Sequence, residues 1–357
     1  MSDYRKTKLY DSHQSLKAKL VPFSGFWMPL QYSSIIKEHH HVRSKCGLFD
    51  VSHMGEFIVS GNNAKTFLQN VTTNDIQNLE AGKVQYSAFC NDSGGVIDDL
   101  LVYHLGDCYM LVVNASNIEK NFEWLSSNLI DDVSLEDKSD TMSLLALQGP
   151  LSRTYLKKLY PKIEDLKYYE TLLPDNSEVI VARTGYSGEL GFEIYAPNSI
   201  ILKLWNEILS LSDDILPVGL GCRDSLRLEM GYCLYGNELN EQTTTIEAGL
   251  SWITKHETSF IGSNSMQDNL PSKKLIALIS EERAIPRSGY KIFSKEKKEV
   301  GVVTSGGMSP CLKKGIALAY VDYEMRLEKE FLIGIRDNFF IFEKTKLPFY
   351  KNGTYLK

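Results

Sequence analysis

The sequence predicts an α+β protein of more than one domain that ends in an antiparallel β-barrel or sandwich. Its 357 residues exceed what one hydrophobic core usually organises, and at about 150 residues per domain two or three units are expected. Residues 60–130 read as helix, hairpin, strand and helix, which makes one α+β unit. From residue 275 onward the chain is nearly all strand and turn: LIALIS, YKIFS, VGVVTS, IALAYV, EFLIGI and FFIFEK.

Composition narrows the class. With 43% hydrophobic and 24% charged residues the chain is an ordinary globular one, and its net charge of -6 argues against general nucleic-acid binding. No apolar run reaches the ~18 residues of a membrane span. The start, MSDYRKTKLYDSHQSL, lacks the apolar core of a secretory signal and carries Asp3 and Asp11, which transit peptides avoid. The expectation is a cytoplasmic protein, or one of the mitochondrial matrix if a presequence was removed, with neither nucleic acid nor membrane as partner. Cys46, Cys90, Cys108, Cys222, Cys233 and Cys311 show no CxxC spacing, so they read as reduced structural thiols. Consecutive residues on a helix project about 100° apart. His39, His40 and His41 therefore read as solvated or capping groups, and no metal site is expected there. GxGxxG, P-loop and HExxH motifs are all missing from the sequence.

The elements follow in order. The aromatic-rich stretch 19–32, broken by Pro22, Gly25 and Pro29, reads as loop with a short strand. Ser33 and Ser34 can cap a helix running to Lys45. Ala64, Phe67, Leu68 and Val71 recur at helical spacing. Next, Val84–Cys90 and Val96–His104 flank a turn that ends in Gly94-Gly95, which predicts a hairpin, and Cys108–Val113 supplies a third strand. Ser116 and Glu119 form an S-x-x-E capping box for a helix carrying Ile118, Phe122, Leu125 and Leu129. The polar stretch 131–141 separates this unit from a strand at 144–148, and helices are readable at 152–160 and 199–211. Between them, 179–195 is strand, glycine-rich turn and strand. Glu193 there shares a face with Gly191, which is expected to leave room for a flat ring. In 219–236, Asp224 is the expected N-cap, Gly231 the stop, and Arg223 stands just outside a helix mouth that favours anions.

The chemistry concentrates in 90–103, CNDSGGVIDDLLVY. Alternation along the strand places Val96, Asp98, Leu100 and Val102 on one face and Ile97, Asp99, Leu101 and Tyr103 on the other. At least one carboxylate then stands among branched aliphatics, where charge is costly unless paired. On the residues alone, structural ion pairing and a functional site both remain open.

These segments, taken together and in this order, resemble the aminomethyltransferase family, the T-proteins of the glycine cleavage system. The resemblance rests on LYDSHQSL, GLFDVSHMGE, CNDSGGVIDDLLVY, LLALQGP, RTGYSGELGFE, GLGCRDSLRLEMGYCLYGNE, LSW at residues 250–252 and TSGGMSP at 304–310. It spans nearly the whole chain. It implies a three-domain cloverleaf around a central folate pocket: a discontinuous first α+β domain (1–54 and 141–250), an inserted α+β domain (55–140) carrying the GGVIDD hairpin, and a C-terminal antiparallel β-barrel or jelly-roll-like domain (251–357).

The implied reaction moves the methylene carbon of an aminomethyl group on the lipoyl arm of the H-protein to tetrahydrofolate. Ammonia leaves and 5,10-methylenetetrahydrofolate forms. Tetrahydrofolate is the implied co-substrate, with no metal. The second aspartate of GGxxDD corresponds to Asp99, the implied catalytic carboxylate, and Asp98 is expected to pair with backbone or a basic group. Motif by motif, Met54, Tyr86, Asn114, Tyr186, Glu193 and Arg223 are the implied folate contacts. Glu193 would accept from the pterin's amino-pyrimidine edge, and Arg223 would meet the pterin carbonyl or the glutamate tail. Tyr86 and Met54 would supply apolar faces. Arg5, Lys6 and Lys8 are expected to help dock an acidic carrier.

The chain departs from the family pattern at Leu190, Ser187 and Cys222. A second reading is a folate-binding iron–sulfur cluster assembly protein of the same fold, built on a KGCYxGQE-like motif. Cys233 holds that cysteine slot, but Gly231 and Tyr232 precede it without the activating lysine. A third, the folate domain of a dimethylglycine- or sarcosine-oxidising enzyme, expects an attached flavin domain.

Overall fold

The computed structural model describes residues 4–175 and 178–357. One six-stranded sheet draws on distant parts of the chain. Its order is Thr171–Leu172, Ile180–Ala182, Gly191–Pro197, Met142–Gln148, Cys46–Asp50 and Ile215–Pro217. Cys46–Asp50 runs antiparallel to Met142–Gln148 and parallel to Ile215–Pro217. Helix Ile201–Ser210 covers one face, burying Ile201, Leu204, Trp205 and Ile208 against Leu145, Leu147, Phe192 and Ile194.

The second sheet is antiparallel throughout, in the order Val84–Cys90, Val96–His104, Cys108–Val113, Gly55–Ser60 and Ser134–Asp137. Helix Ala64–Val71 packs Phe67, Leu68 and Val71 on its outer face, as the periodicity predicts. Its inner face meets the first sheet through an apolar layer. Tyr103, Met110 and Val112 come from one side, and Phe49, Leu144, Ala146 and Tyr195 from the other. Six strands of the C-terminal part close a barrel: Lys273–Ser280, Gly315–Asp322, Glu299–Met308, Lys291–Phe293, Glu330–Ile335 and Asn338–Thr345. The α+β class and the closing antiparallel barrel agree with the sequence.

Four local expectations need correction. Residues 19–32 form a hairpin, Lys19–Phe23 with Phe26–Gln31, extended by Arg5–Lys6. Pro22 lies on an edge strand and Pro29 at a register shift, the two places where a sheet tolerates a missing N–H. Within 131–141, Ser134–Asp137 adds an edge strand beside Gly55–Ser60. The Ser116–Glu119 capping box does not form, because helix Ile118–Ser127 starts after a short 3-10 turn, and the side chain of its first flanking residue, Asn117, is engaged elsewhere. Finally, helix Leu220–Met230 starts at Gly219, so Asp224 and Arg223 lie inside it. A Cβ on Gly219 would come 2.3 Å from the Leu30 carbonyl oxygen, and its N–H donates to Glu38 at 2.9 Å, so tertiary contact sets that start. Gly231 does end the helix, with φ of +73°. Ser34 caps helix Ile35–Ser44 through the N–H of Lys37.

Helix Leu220–Met230 also ties the barrel on. Leu228 packs against Ile316, Leu318 and Phe349. Arg227 donates to Glu238 at 3.1 Å and to Ser305 of the barrel at 2.9 Å. Among the described residues no helix is long and apolar enough to cross a membrane.

Candidate active site

Strand parity divides the two aspartates, but it acts through a bulge. Cys90 pairs with Val96 and Phe89 with Asp98, so Ile97 is an extra residue. Ile97 therefore joins the core of Leu100 and Val102, not the face of Leu101 and Tyr103. From Asp98 onward alternation holds.

Asp98 is fully buried and accepts four N–H groups: the Asn114 backbone at 3.1 Å, Asn114 Nδ2 at 2.8 Å, Asn117 Nδ2 at 2.7 Å and Asn121 Nδ2 at 2.6 Å. Its partners are thus backbone and amides, and the expected basic group is replaced by three asparagines. Their spacing, 114, 117 and 121, puts them on one side of the turn and helix that follow the third strand. That spacing was the readable signal. Asp99 is only partly covered. Its Oδ2 accepts from the Tyr86 hydroxyl at 2.9 Å and its Oδ1 from Asn114 Nδ2 at 2.9 Å. Burial pushes both carboxyls above the usual range. The charge of Asp99 adds to that for Asp98, while the amide donors oppose it. Burial also raises the Tyr86 phenol well above its ordinary value, so it remains a donor to Asp99. The Tyr86 ring meets Trp252 at 5.9 Å, and Trp252 is 58% exposed, an aromatic wall that the LSW segment carries.

A second wall comes from the glycine-rich turn. The Tyr186 hydroxyl donates to the Cys233 carbonyl. Its ring stacks on Tyr232 at 5.6 Å, and the Arg223 guanidinium sits 4.8 Å from its centre. Burial raises the Tyr186 phenol, and the Asp99 and Glu238 charges raise it further, while those of Arg227 and Arg223 oppose the rise. Glu193 is 5% exposed. Its Oε2 accepts from Thr184 at 2.5 Å and from Tyr103 at 3.5 Å, and Tyr103 in turn bonds Tyr195 at 2.7 Å. Among the described residues its Oε1 accepts no hydrogen bond. Met54 packs on the neighbouring apolar layer with Phe49 and Tyr103.

The room at Gly191 is not open to a ligand. A Cβ there would lie 2.3 Å from Gln148 Nε2, and one on Gly185 2.1 Å from Gln148 Oε1. The Gln148 amide fills the space between these glycines and holds Thr184 and Ser187. Thr184, Tyr103, Tyr195, Tyr232 and Trp252 are the surrounding residues that sequence reasoning did not single out.

Against known proteins, residues 9–258 match the model of the GCVT N-terminal domain, and residues 273–351 that of the glycine cleavage T-protein C-terminal barrel domain. The aminomethyltransferase of Halothermothrix orenii is 45% identical, covering 97% of this chain and 99% of that one. The aminomethyltransferase of Chloroherpeton thalassium is 46% identical, covering 96% and 98%. The crystal structure of glycine cleavage system aminomethyltransferase T from Bartonella henselae superposes with a TM-score of 0.94 at 33% identity, covering 99% of this chain and all of that one. The chain belongs to the aminomethyltransferase family of the glycine cleavage system.

Two other clusters bear on that T-protein assignment. Cys233 is 8% exposed, and burial with the Glu238 and Asp99 charges pushes its thiol well above the ordinary range. It is a protonated thiol, not the thiolate that a reactive-cysteine protein needs. His40 is exposed and His41 bonds the Asp214 carbonyl at 2.9 Å, but His39 is buried, a correction to the solvated or capping reading. His39, Glu229 and Cys311 place ligand-type atoms within 4.8 Å of one another. Glu229 already takes Arg43 at 2.9 Å, His39 at 3.0 Å, Ser309 at 2.5 Å and the Cys311 N–H at 3.0 Å. A cation there would face the Arg43 guanidinium, so the chemistry of the cluster is that of a hydrogen-bonded anchor.

Proposed function

We propose that this aminomethyltransferase takes the aminomethyl group from the lipoyl arm of the H-protein and delivers its methylene carbon to tetrahydrofolate, releasing ammonia and forming 5,10-methylenetetrahydrofolate. The observation that carries the reading is the unequal state of two adjacent carboxylates. Asp98 is saturated by amide donors, while Asp99 is held by Tyr86 and Asn114 on a partly open surface.

In the reaction the carbon loses its bonds to nitrogen and sulfur and gains two to folate nitrogens. The two folate N–H protons pass to the leaving amine and thiol. Asp99 is the group that stabilises positive charge on the attacking nitrogen or accepts its proton. Glu193, with one oxygen uncommitted, accepts from the amino-pyrimidine edge of the pterin. Tyr186, Tyr86 and Met54 offer apolar faces to the folate rings, Asn114 orients Asp99, and Arg223 meets a pterin carbonyl or glutamate carboxylate. The domain partition 1–54 with 141–250, 55–140 and 251–357 belongs to the same reading.

For the carrier, Lys8 is the freest of the three basic residues. Arg5 pairs with Asp140 and sits over Phe26 at 4.6 Å, and Lys6 sits over Tyr10 at 4.3 Å. The test is to incubate the protein with aminomethylated H-protein and tetrahydrofolate and to measure both products. Ammonia and 5,10-methylenetetrahydrofolate forming in equal amounts is the expected result. Folate binding without either product would reject the reading.

A further inference from the structure

The turn that carries Tyr186 is not held by its own sheet alone. After the barrel's last strand the chain returns over the first sheet, and its final residues close on that turn from outside. The Thr354 hydroxyl donates to Glu189 Oε2 at 2.5 Å and accepts the Leu190 N–H at 2.8 Å, and the Thr354 N–H reaches the same Glu189 oxygen at 3.2 Å. The Tyr355 N–H donates to the Gly188 carbonyl at 3.3 Å. A Cβ on Gly353 would lie 2.4 Å from that carbonyl oxygen, so the two backbones pass in direct contact.

From the opposite side, Arg43 donates to the Ser187 carbonyl at 2.7 Å and to Glu189 Oε1 at 2.8 Å. Gly188 has φ of +77°, and Met230 fills the space a side chain there would need. Glu189 thus bridges a fixed arginine and the C-terminal tail, 3% exposed and fully engaged. An aromatic path extends the clamp, with Tyr355 meeting Tyr168 at 5.4 Å and Tyr168 meeting Tyr169 at 4.6 Å. Arg183 anchors the end through the carbonyls of Tyr355 and Lys357.

We infer that the C-terminal tail, residues 349–357, is a positioning element of the folate site, and that Thr354 fixes the turn bearing Tyr186 through Glu189 and the Leu190 N–H. The inference rests on the reading of Tyr186 and Glu193 as folate contacts. The tail contacts named above fall on the turn bearing Tyr186 and on Tyr168 and Arg183, so its effect is expected on folate and not on the carrier. A ring wall that must be ordered on binding loses affinity through the cost of ordering it, without loss of any direct contact.

The experiment compares the full chain with Thr354→Val, Thr354→Ser and Glu193→Ala, using calorimetry with tetrahydrofolate and steady-state KM values for tetrahydrofolate and for aminomethylated H-protein. Removing one hydroxyl that serves as both donor and acceptor should weaken folate binding about 10-fold, with carrier KM changed less than about 2-fold. Thr354→Ser keeps the hydroxyl and should bind as the unaltered protein does. If Thr354→Val does not fold, Tyr355→Ala, which removes only the ring against Tyr168, carries the same comparison. Loss of folate affinity in Glu193→Ala with none in Thr354→Val or Tyr355→Ala overturns the inference. Equal rises in both KM values also overturn it, since they mark a general structural effect. If the unaltered protein itself fails to bind tetrahydrofolate, the underlying folate reading falls instead.

Discussion

Asp98 and Asp99 are chemically identical neighbours, and their surroundings make them different groups. The sequence already implied that one would face inward and the other outward, because alternation is a property of any strand. It could not show what receives the inward one, since the three amides come from the next turn and helix. Glu56 raises a related question. It is 1% exposed and among the described residues neither carboxyl oxygen has a hydrogen-bond partner, and burial, then the Asp137 charge, raise it well above the ordinary range. The folded protein therefore keeps a proton on Glu56 at pH values where the unfolded chain has released it, above roughly 4.3. Its contribution to stability falls as pH rises from there toward the raised value. Replacing it with an apolar residue removes that dependence. Glu56→Leu should stabilise more at pH 8 than at pH 5, by at least about 1 kcal/mol in denaturant unfolding. A difference that does not change with pH contradicts this account of Glu56.

At the scale of elements, legibility followed locality. Val84–Cys90, Val96–His104 and Cys108–Val113 are bounded as their alternation and turn residues predict, because both signals are local. The bulge at Ile97 was not visible, since it is decided by a clamp from far along the chain. Gly95 bridges to Thr244, and the Val96 N–H reaches the carbonyls of Asn240 and Thr243. The capping box failed for a similar reason, as the Asn117 amide goes to Asp98. Gly95 itself is required by close approach, because a Cβ there would lie 1.9 Å from the Glu241 carbonyl oxygen. Gly95→Ala should push residues 240–244 off the hairpin, costing about 1–3 kcal/mol of stability. An unfolding midpoint equal to that of the unaltered protein would show that the clamp does not matter.

At the scale of the molecule, the barrel was legible because its strands are neighbours in sequence or nearly so. The six-stranded sheet was not. Its pairing of Cys46–Asp50 with both Met142–Gln148 and Ile215–Pro217 leaves no local mark in the sequence. What joins the units is polar as well as apolar. Arg227, 2% exposed, is shared among Asp224, Glu238, the Tyr232 carbonyl and Ser305 of the barrel. Arg227→Met leaves Glu238 buried without its cation and should destabilise the chain by roughly 3–5 kcal/mol, read by denaturant unfolding; a loss under about 1 kcal/mol contradicts it. Within this frame Asp98 is held by four N–H groups, while Asp99 accepts from the Tyr86 hydroxyl and Asn114 Nδ2 and stays partly exposed. The most direct test of that arrangement is turnover of aminomethylated H-protein by Asp99→Asn beside Asp98→Asn, with tetrahydrofolate affinity measured on each. Asp99→Asn should bind folate normally and lose about 10²-fold or more in turnover, whereas Asp98→Asn should chiefly lose stability. Near-normal turnover by Asp99→Asn would contradict the account.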